Sequence, residues 1–344
     1  MFIKILYTIV ITVLIFLITG LLLPKTVHVE RSIEIDRPLT TVFVLLNSNR
    51  SFEVLAPWMH RDPDTTYRYS GPDSGVGARL DWSGDPRLVG NGWQEIIESR
   101  PLSLIRMQLF FEQQGPATSF FYVDPIGPGV TLTWGFDVNL VKGQTFIDGL
   151  LARYFGLFFD RWIGTDYEQG LMRFKTYAES TPSADFSDLE VEIVRAEPLD
   201  ILYIAIDGPQ APGGVTSKLA SAYQEIGAFM AEHSIEMQSQ PMAITRARGA
   251  RNYGLDAAIP VTEINVPVEG RIQAGESPSG IAVRVIHRGS YDELQPTYEK
   301  LAAYMAVHGL REGRVSWEHY ISDPGRTRPE EVITHIYFLI EDQP

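Results

Sequence analysis

The chain has 344 residues, of which 44% are hydrophobic, and carries 29 Lys and Arg against 43 Asp and Glu, a formal net charge of −14. The length fits two soluble domains, and the acidic balance without any basic run argues against DNA or RNA as a partner and for neutral or cationic ligands. The absence of cysteine removes disulfides, thiolate metal sites and a cysteine nucleophile, and the seven His form no HxxxH or HxH pair, so neither a metal nor a cofactor is expected.

Ile5 to Leu23 holds no charged residue and is dense in Ile, Leu, Val and Phe, with Lys4 and Lys25 at its ends. At about 1.5 Å per residue it reaches nearly across a hydrocarbon core of about 30 Å. A cleaved signal peptide is the rival reading. Against it, Thr19-Gly20-Leu21-Leu22-Leu23-Pro24 offers no A-x-A-like site, and the apolar stretch is long for a signal. A single-pass transmembrane anchor over residues 1–24 is therefore expected. Lys4 on one flank and Lys25, Arg31 and Arg37 on the other do not settle its orientation. The short preceding tail favours a soluble part outside the cytoplasm.

Val27 to Ile35 alternates as a strand, and Leu39 to Leu46 reads as a helix with Pro38 at its start. Further strands are predicted at Val76–Trp82, Gly92–Ser99, Leu104–Phe111, Ser119–Val123 and Val130–Val138, separated by Gly, Pro and Asp. One long helix is predicted from Phe146 to Ala178, with Leu150, Tyr154, Leu157, Phe158, Leu171 and Phe174 at helical spacings. Strands followed by one amphipathic helix imply an α+β layout. Trp82, Trp93, Trp134 and Phe136 are either pocket walls or plain core, and Glu95 either an inward handle or part of a solvated face.

An ordered series of residues carries a resemblance here. It runs through Val29-Glu30-Arg31-Ser32-Ile33-Glu34-Ile35, Val42-Phe43, Trp58, Gly71-Pro72 and Gly75-Val76-Gly77-Ala78. It continues with Trp82-Ser83-Gly84, Gly90-Asn91-Gly92, Pro101, Thr131-Leu132-Thr133-Trp134 and Gly170-Leu171. In these, residues 25–180 resemble the polyketide cyclase/START-like (SRPBCC) family. Arg37-Pro38 stands where the family usually has Ala-Pro. The resemblance implies a helix-grip fold with an apolar cavity between sheet and helix.

Residues 181–189 are polar and proline-broken and read as a linker. A repeat follows. Leu219, Tyr223, Ile226, Met230 and His233 return 75 positions on as Leu294, Tyr298, Leu301, Met305 and His308. Their spacing is one face of a helix. Strands are predicted before the helices at Ile201–Ile206 and Ile281–His287. After them come Met242–Arg246 and Val261–Val268, then Val315–Ile321 and Val332–Ile340. Ser290 to Glu293 is a capping-box pattern. The expectation is a duplicated strand-helix-strand-strand unit over residues 190–344, with a concave seam between the copies.

Within the second copy, Ser316-Trp317-Glu318-His319-Tyr320-Ile321-Ser322-Asp323-Pro324 is an apolar and aromatic run with one acid, closed by a turn. As a strand it puts Glu318 and Tyr320 on one face and Trp317, His319 and Ile321 on the other. A carboxylate beside aromatic rings suits an organic cation, since the ring faces and the charge both attract it. An exposed strand whose glutamate meets water is the plainer reading of the same pattern.

This run, with Ala257-Ala258-Ile259-Pro260-Val261, His287-Arg288-Gly289-Ser290-Tyr291, Leu294, Tyr298 and Thr334-His335-Ile336-Tyr337, resembles the GyrI-like, AraC-type effector-binding domain. The resemblance implies that Glu318 lies at the bottom of a ligand pocket. Tyr320 shares its face, and Tyr291, Trp317 and Tyr337 are candidate aromatic walls. Some relatives hydrolyse small electrophiles with the pocket acid, which would make Glu318 a general base. The family's regulators add a DNA-binding helix-turn-helix, and no basic recognition helix is evident here. The expected function is a membrane-anchored sensor or carrier that binds small hydrophobic or cationic molecules in both domains. A hydrolase centred on Glu318 and a structural module for a membrane partner are the alternatives. The sequence names no protein partner.

Overall fold

The computed structural model describes residues 2–112, 115–209, 214–248, 252–323 and 325–341. Pro324, at the end of the predicted closing turn, and residues 342–344 of the expected second domain lie outside them. Two units divide the chain, Met1–Asp185 and Phe186–Pro344.

The first unit begins with helix α1 (Phe2–Leu22), whose Ile3–Leu22 segment is long and apolar enough to cross a membrane. Its large apolar side chains are exposed, as in a helix made for lipid or for a signal sequence and unlike one in a protein core. Then come β1 (Thr26–Ile35), α2 (Leu39–Leu46), α3 (Phe52–Leu55), β2 (Thr66–Ser70), β3 (Arg79–Ser83), β4 (Asn91–Arg100), β5 (Leu104–Phe111), β6 (Gly115–Ile126) and β7 (Gly129–Asn139). Helices α4 (Phe146–Gly156) and α5 (Phe159–Ser180) end the unit. The strands make one antiparallel sheet in the order β1-β7-β6-β5-β4-β3-β2.

Alternation gives this sheet a packed face. Val130, Leu132, Trp134 and Phe136 of β7 are all buried, and the Trp134 ring stacks on Tyr167 of α5 at 3.7 Å. Trp134 Nε1 donates to Ser119 Oγ at 2.9 Å, so its polar edge is satisfied inside the core. Arg31 of β1 clamps α5 through Glu168 (2.8 Å) and Asp160 (3.0 Å). Trp93 lies on the outer face under the Arg79 guanidinium, and Glu95 pairs with that arginine at 3.3 Å.

Three differences from the sequence reading have local causes. The expected single helix over Phe146–Ala178 is two, because Gly156 ends α4 and each half has its own partner: α4 lies along α1, and α5 on β1. The strand expected from Val76 begins only at Arg79, since Gly75 and Gly77 take positive φ angles of 77° and 92° in the preceding turn. β2 is a short, half-exposed edge strand without a clear alternation.

The second unit contains β8 (Val191–Ala196), β9 (Asp200–Pro209), α6 (Gly214–His233), β10 (Met242–Arg248), β11 (Asn252–Pro260), β12 (Gln273–Glu276), β13 (Gly280–Arg288), α7 (Leu294–Val307), β14 (Glu312–Tyr320) and β15 (Ile333–Ile340). They form an antiparallel sheet in the order β12-β9-β11-β10-β14-β15-β13-β8. The strand expected at Val261–Val268 is instead a loop after β11. Val261 makes one bridge to Met237, and Ile264, Val266 and Val268 then fold over the α6 core. The strand itself is the Ala-rich segment before it, whose small side chains gave no alternation signal.

Cross-strand register fixes a row of six residues on one face: Ile204, Ala257, Ala243, Glu318, Ile336 and Val285. Ile204 and Ala257 lie under α6, in the core formed with Ile226 and Met230. Ile336 and Val285 lie under α7, with Leu301 and Met305. The middle pair, Ala243 and Glu318, falls between the two helices. Ala243 is too small to fill that gap, and Glu318 is the only charged member of the row.

Candidate ligand-binding site

Glu318 stands on an interior strand, since β14 pairs with both β10 and β15. The carboxylate is half-buried and both of its oxygens accept a phenol hydrogen bond. Tyr298 Oη of α7 donates to Oε1 at 2.5 Å. Tyr320 Oη, two residues along the same strand face, donates to Oε2 at 2.9 Å. Among the described residues no Lys, Arg or His pairs with Glu318, so its charge meets phenols alone.

Aromatic rings surround this group. Tyr320 packs edge to face against Tyr291 at 5.3 Å and against Tyr223 of α6 at 6.4 Å. Tyr223 Oη is anchored in turn on the Met242 carbonyl at 2.9 Å. Burial first, and then the Glu318 charge, hold the Tyr320 phenol well above the ordinary tyrosine pKa. Burial is also the leading cause of the upward shifts at Tyr223 and Tyr291. All three therefore stay protonated donors at neutral pH.

Over these groups opens a cavity of about 570 Å³ between α6 and α7, a volume suited to a small organic ligand. Leu219 and Tyr223 come from α6, Leu294 from α7, and Tyr291 from the turn before α7. That turn is held by the predicted capping box, with Ser290 N–H donating to Glu293 at 3.3 Å. Asp323 adds a second, more exposed acid at the rim.

The structure thus brings Glu318, Tyr320 and Tyr291 together, but not Trp317 and Tyr337. Those two lie on the opposite face of the sheet, stacked on each other at 4.6 Å in a core with Met242, Ile244 and Ala282. The cause is the two-residue strand period: Trp317 is one position from Glu318, and register sets it against Tyr337. Sequence reasoning missed Tyr298 and Tyr223 as site residues. Their signal was present, as the tyrosine pair in the repeated helix stripe.

The first unit has a cavity of its own, about 590 Å³, between the packed face of its sheet and helices α4 and α5. Leu109, Trp134, Phe136 and Tyr167 form its interior, and Phe155 and Trp162 its helical side. Two of the four aromatic residues singled out in the sequence, Trp134 and Phe136, line it.

Residues 189–341 match the family model of the GyrI-like small molecule binding domain. No curated protein matches the chain. Among solved structures, the chain is similar to the EcmrR C-terminal domain, at 18% identity and a TM-score of 0.39, over 45% of this chain and 99% of that one. The EcmrR–DNA complex gives 17% identity and a TM-score of 0.41, over 59% and 74%. A hydrolase from Listeria innocua gives 17% and 0.34, over 44% and 92%. The family match spans nearly all of the second unit and encloses the cavity floored by Glu318: residues 189–341 are a GyrI-like small-molecule binding domain.

Proposed function

We propose that the chain is a membrane-anchored binding protein for small amphipathic molecules, acting as a sensor or carrier. α1 is its single-pass anchor. The first unit is a START-like, helix-grip domain that holds an apolar ligand, and the second selects ligands with a cationic or polar group. One observation carries the ligand class. The Glu318 carboxylate lies at the floor of a tyrosine-walled cavity and, among the described residues, has no cationic partner. A ligand cation there gains the carboxylate's charge and the ring faces together, each ring being worth about 0.5–2 kcal/mol.

A duplicated origin of the second unit fits the same geometry. The sheet order reads the same from β9 and from β13, as β9-β11-β10 and β13-β15-β14. Glu318 lies 75 positions after Ala243, and these two residues are also register partners. A pseudo-twofold axis therefore passes between them. The two tyrosines of the repeat, Tyr223 and Tyr298, flank that axis, and beside it Glu318 is an acid where its counterpart is Ala243. One charged ligand group per cavity is what such an arrangement accommodates.

Native mass spectrometry of the full chain with lipophilic cations and apolar neutral compounds tests the assignment. Cation adducts should form on the wild type and be lost in Glu318→Gln. Equal adducts on both proteins would remove Glu318 from recognition. Turnover of an electrophilic probe that collapses in the same variant would make the site hydrolytic; the engagement of both carboxylate oxygens by phenols speaks against a free base.

A further inference from the structure

Helix α4 is tied to the end of α1. Arg153 Nη1 donates to the Leu21 carbonyl at 2.8 Å and reaches those of Gly20 and Leu23, which caps the C-terminal end of α1. Tyr154 Oη donates to the Phe16 carbonyl at 2.5 Å, and its ring stacks on Phe16 at 4.4 Å. Gly20 makes the approach possible, because a Cβ there would fall 2.7 Å from Leu150. Phe16 lies six residues before the end of α1, roughly 9 Å along the helix axis. α4 therefore runs level with the last two turns of a helix whose composition suits hydrocarbon.

The side of α4 and of the α5 start that faces away from the protein is apolar. Ile147, Leu151 and Phe155 recur at every fourth position, and Phe158 and Trp162 continue the patch with stacked rings. All five are between 41% and 66% exposed. A patch of this kind marks an interaction surface. Phe155 and Trp162 also line the 590 Å³ cavity, together with exposed Leu88.

We propose that this α4–α5 face lies in the interfacial layer of the bilayer that α1 crosses, so that the first unit's cavity opens into lipid and is loaded from it with an acyl chain or similarly apolar molecule. The inference rests on the reading of α1 as an anchor and adds where, and from which phase, the first unit takes its ligand. The bilayer is favoured over a protein partner because α1 itself fixes the depth. Amphipathic helices in the interface sink about 5–10 Å below the headgroups, which matches the overlap of α4 with α1.

The test places the full chain in phosphatidylcholine liposomes containing a lipid with a diazirine near the end of one acyl chain, followed by illumination and peptide mapping. Labels are expected on α1, on Ile147 to Trp162, and on Leu109 or Trp134 inside the cavity. In Ile147→Glu, on the exposed face and outside the cavity lining, the cavity label should fall severalfold while the α1 label stays. A labelled α1 with no label on Ile147 to Trp162 overturns the inference and leaves the anchor standing. Labels on both helices but never inside the cavity overturn the lipid entry. An unlabelled α1 refutes the anchor, and the inference with it.

Discussion

Tyr298→Phe removes one hydroxyl and almost no volume. That hydroxyl donates to Glu318 Oε1 at 2.5 Å, while Tyr320 holds Oε2 at 2.9 Å. A hydrogen bond to a charged acceptor contributes about 1.5–3 kcal/mol. Glu318 is half-buried, so water recovers part of the loss, and the net cost should be about 1–2 kcal/mol. For a unit of this size, that lowers Tm by roughly 2–8 °C. Differential scanning calorimetry of the full chain in detergent reads the change. A double-mutant cycle with Glu318→Gln isolates the pair, and a coupling of about 1 kcal/mol is expected. Tyr223→Phe is the comparison, because its hydroxyl donates to the neutral Met242 carbonyl. With Glu318→Gln it should be additive to within about 0.5 kcal/mol. Additivity of Tyr298→Phe with Glu318→Gln would refute the idea that this phenol holds the carboxylate in place.

Three further outcomes are expected. Ala220 is exposed at the mouth of the second cavity, so Ala220→Trp should weaken binding of a lipophilic cation about tenfold or more while stability stays within about 0.5 kcal/mol, as read by fluorescence titration and calorimetry. Gly170→Ala places a Cβ 2.2 Å from the Leu55 carbonyl oxygen and 2.8 Å from the Trp134 ring, and should cost the first unit about 1–3 kcal/mol in urea unfolding. Burial, and next the neighbouring His335, hold His319 below its ordinary pKa. As pH falls, the unfolded chain therefore takes up this proton first, near pH 6.5, and stability present above that value is lost as pH drops towards the lower folded-state pKa. His319→Gln should flatten the fall in Tm between pH 7.5 and 5.5, and an unchanged slope would remove His319 from it.

Where one face of an element is buried, period alone gave the answer. Leu219-Tyr223-Ile226-Met230 and Leu294-Tyr298-Leu301-Met305 lie on α6 and α7, each with core residues of its helix. The two-residue period of β14 correctly separated Glu318 and Tyr320 from Trp317. Trp317 and Tyr337, candidate walls by their ring chemistry, pack behind the sheet. That Tyr298 reaches Glu318 depends on how α7 crosses the sheet, which no local pattern encodes. The short strands β2, β8 and β12 bury too little to leave an alternation. The Ala-rich β11 was hidden by its small side chains, and the more β-prone Val261–Val268 drew the assignment instead. The division of one helix into α4 and α5 follows from their tertiary partners, α1 along α4 and β1 under α5, which no local pattern encodes.

The most direct test of the proposed charge selection compares two ligands of equal shape, phenyltrimethylammonium and tert-butylbenzene, on the wild-type chain by calorimetric titration at low salt. Opposite charges about 5 Å apart at an effective dielectric constant near 20 attract by about 3 kcal/mol. With part of that spent on desolvating the cation, about 1.5 kcal/mol or more should remain, a preference of at least tenfold. The preference should shrink as NaCl is added. Equal affinity for the two ligands would contradict a role for the Glu318 charge in recognition.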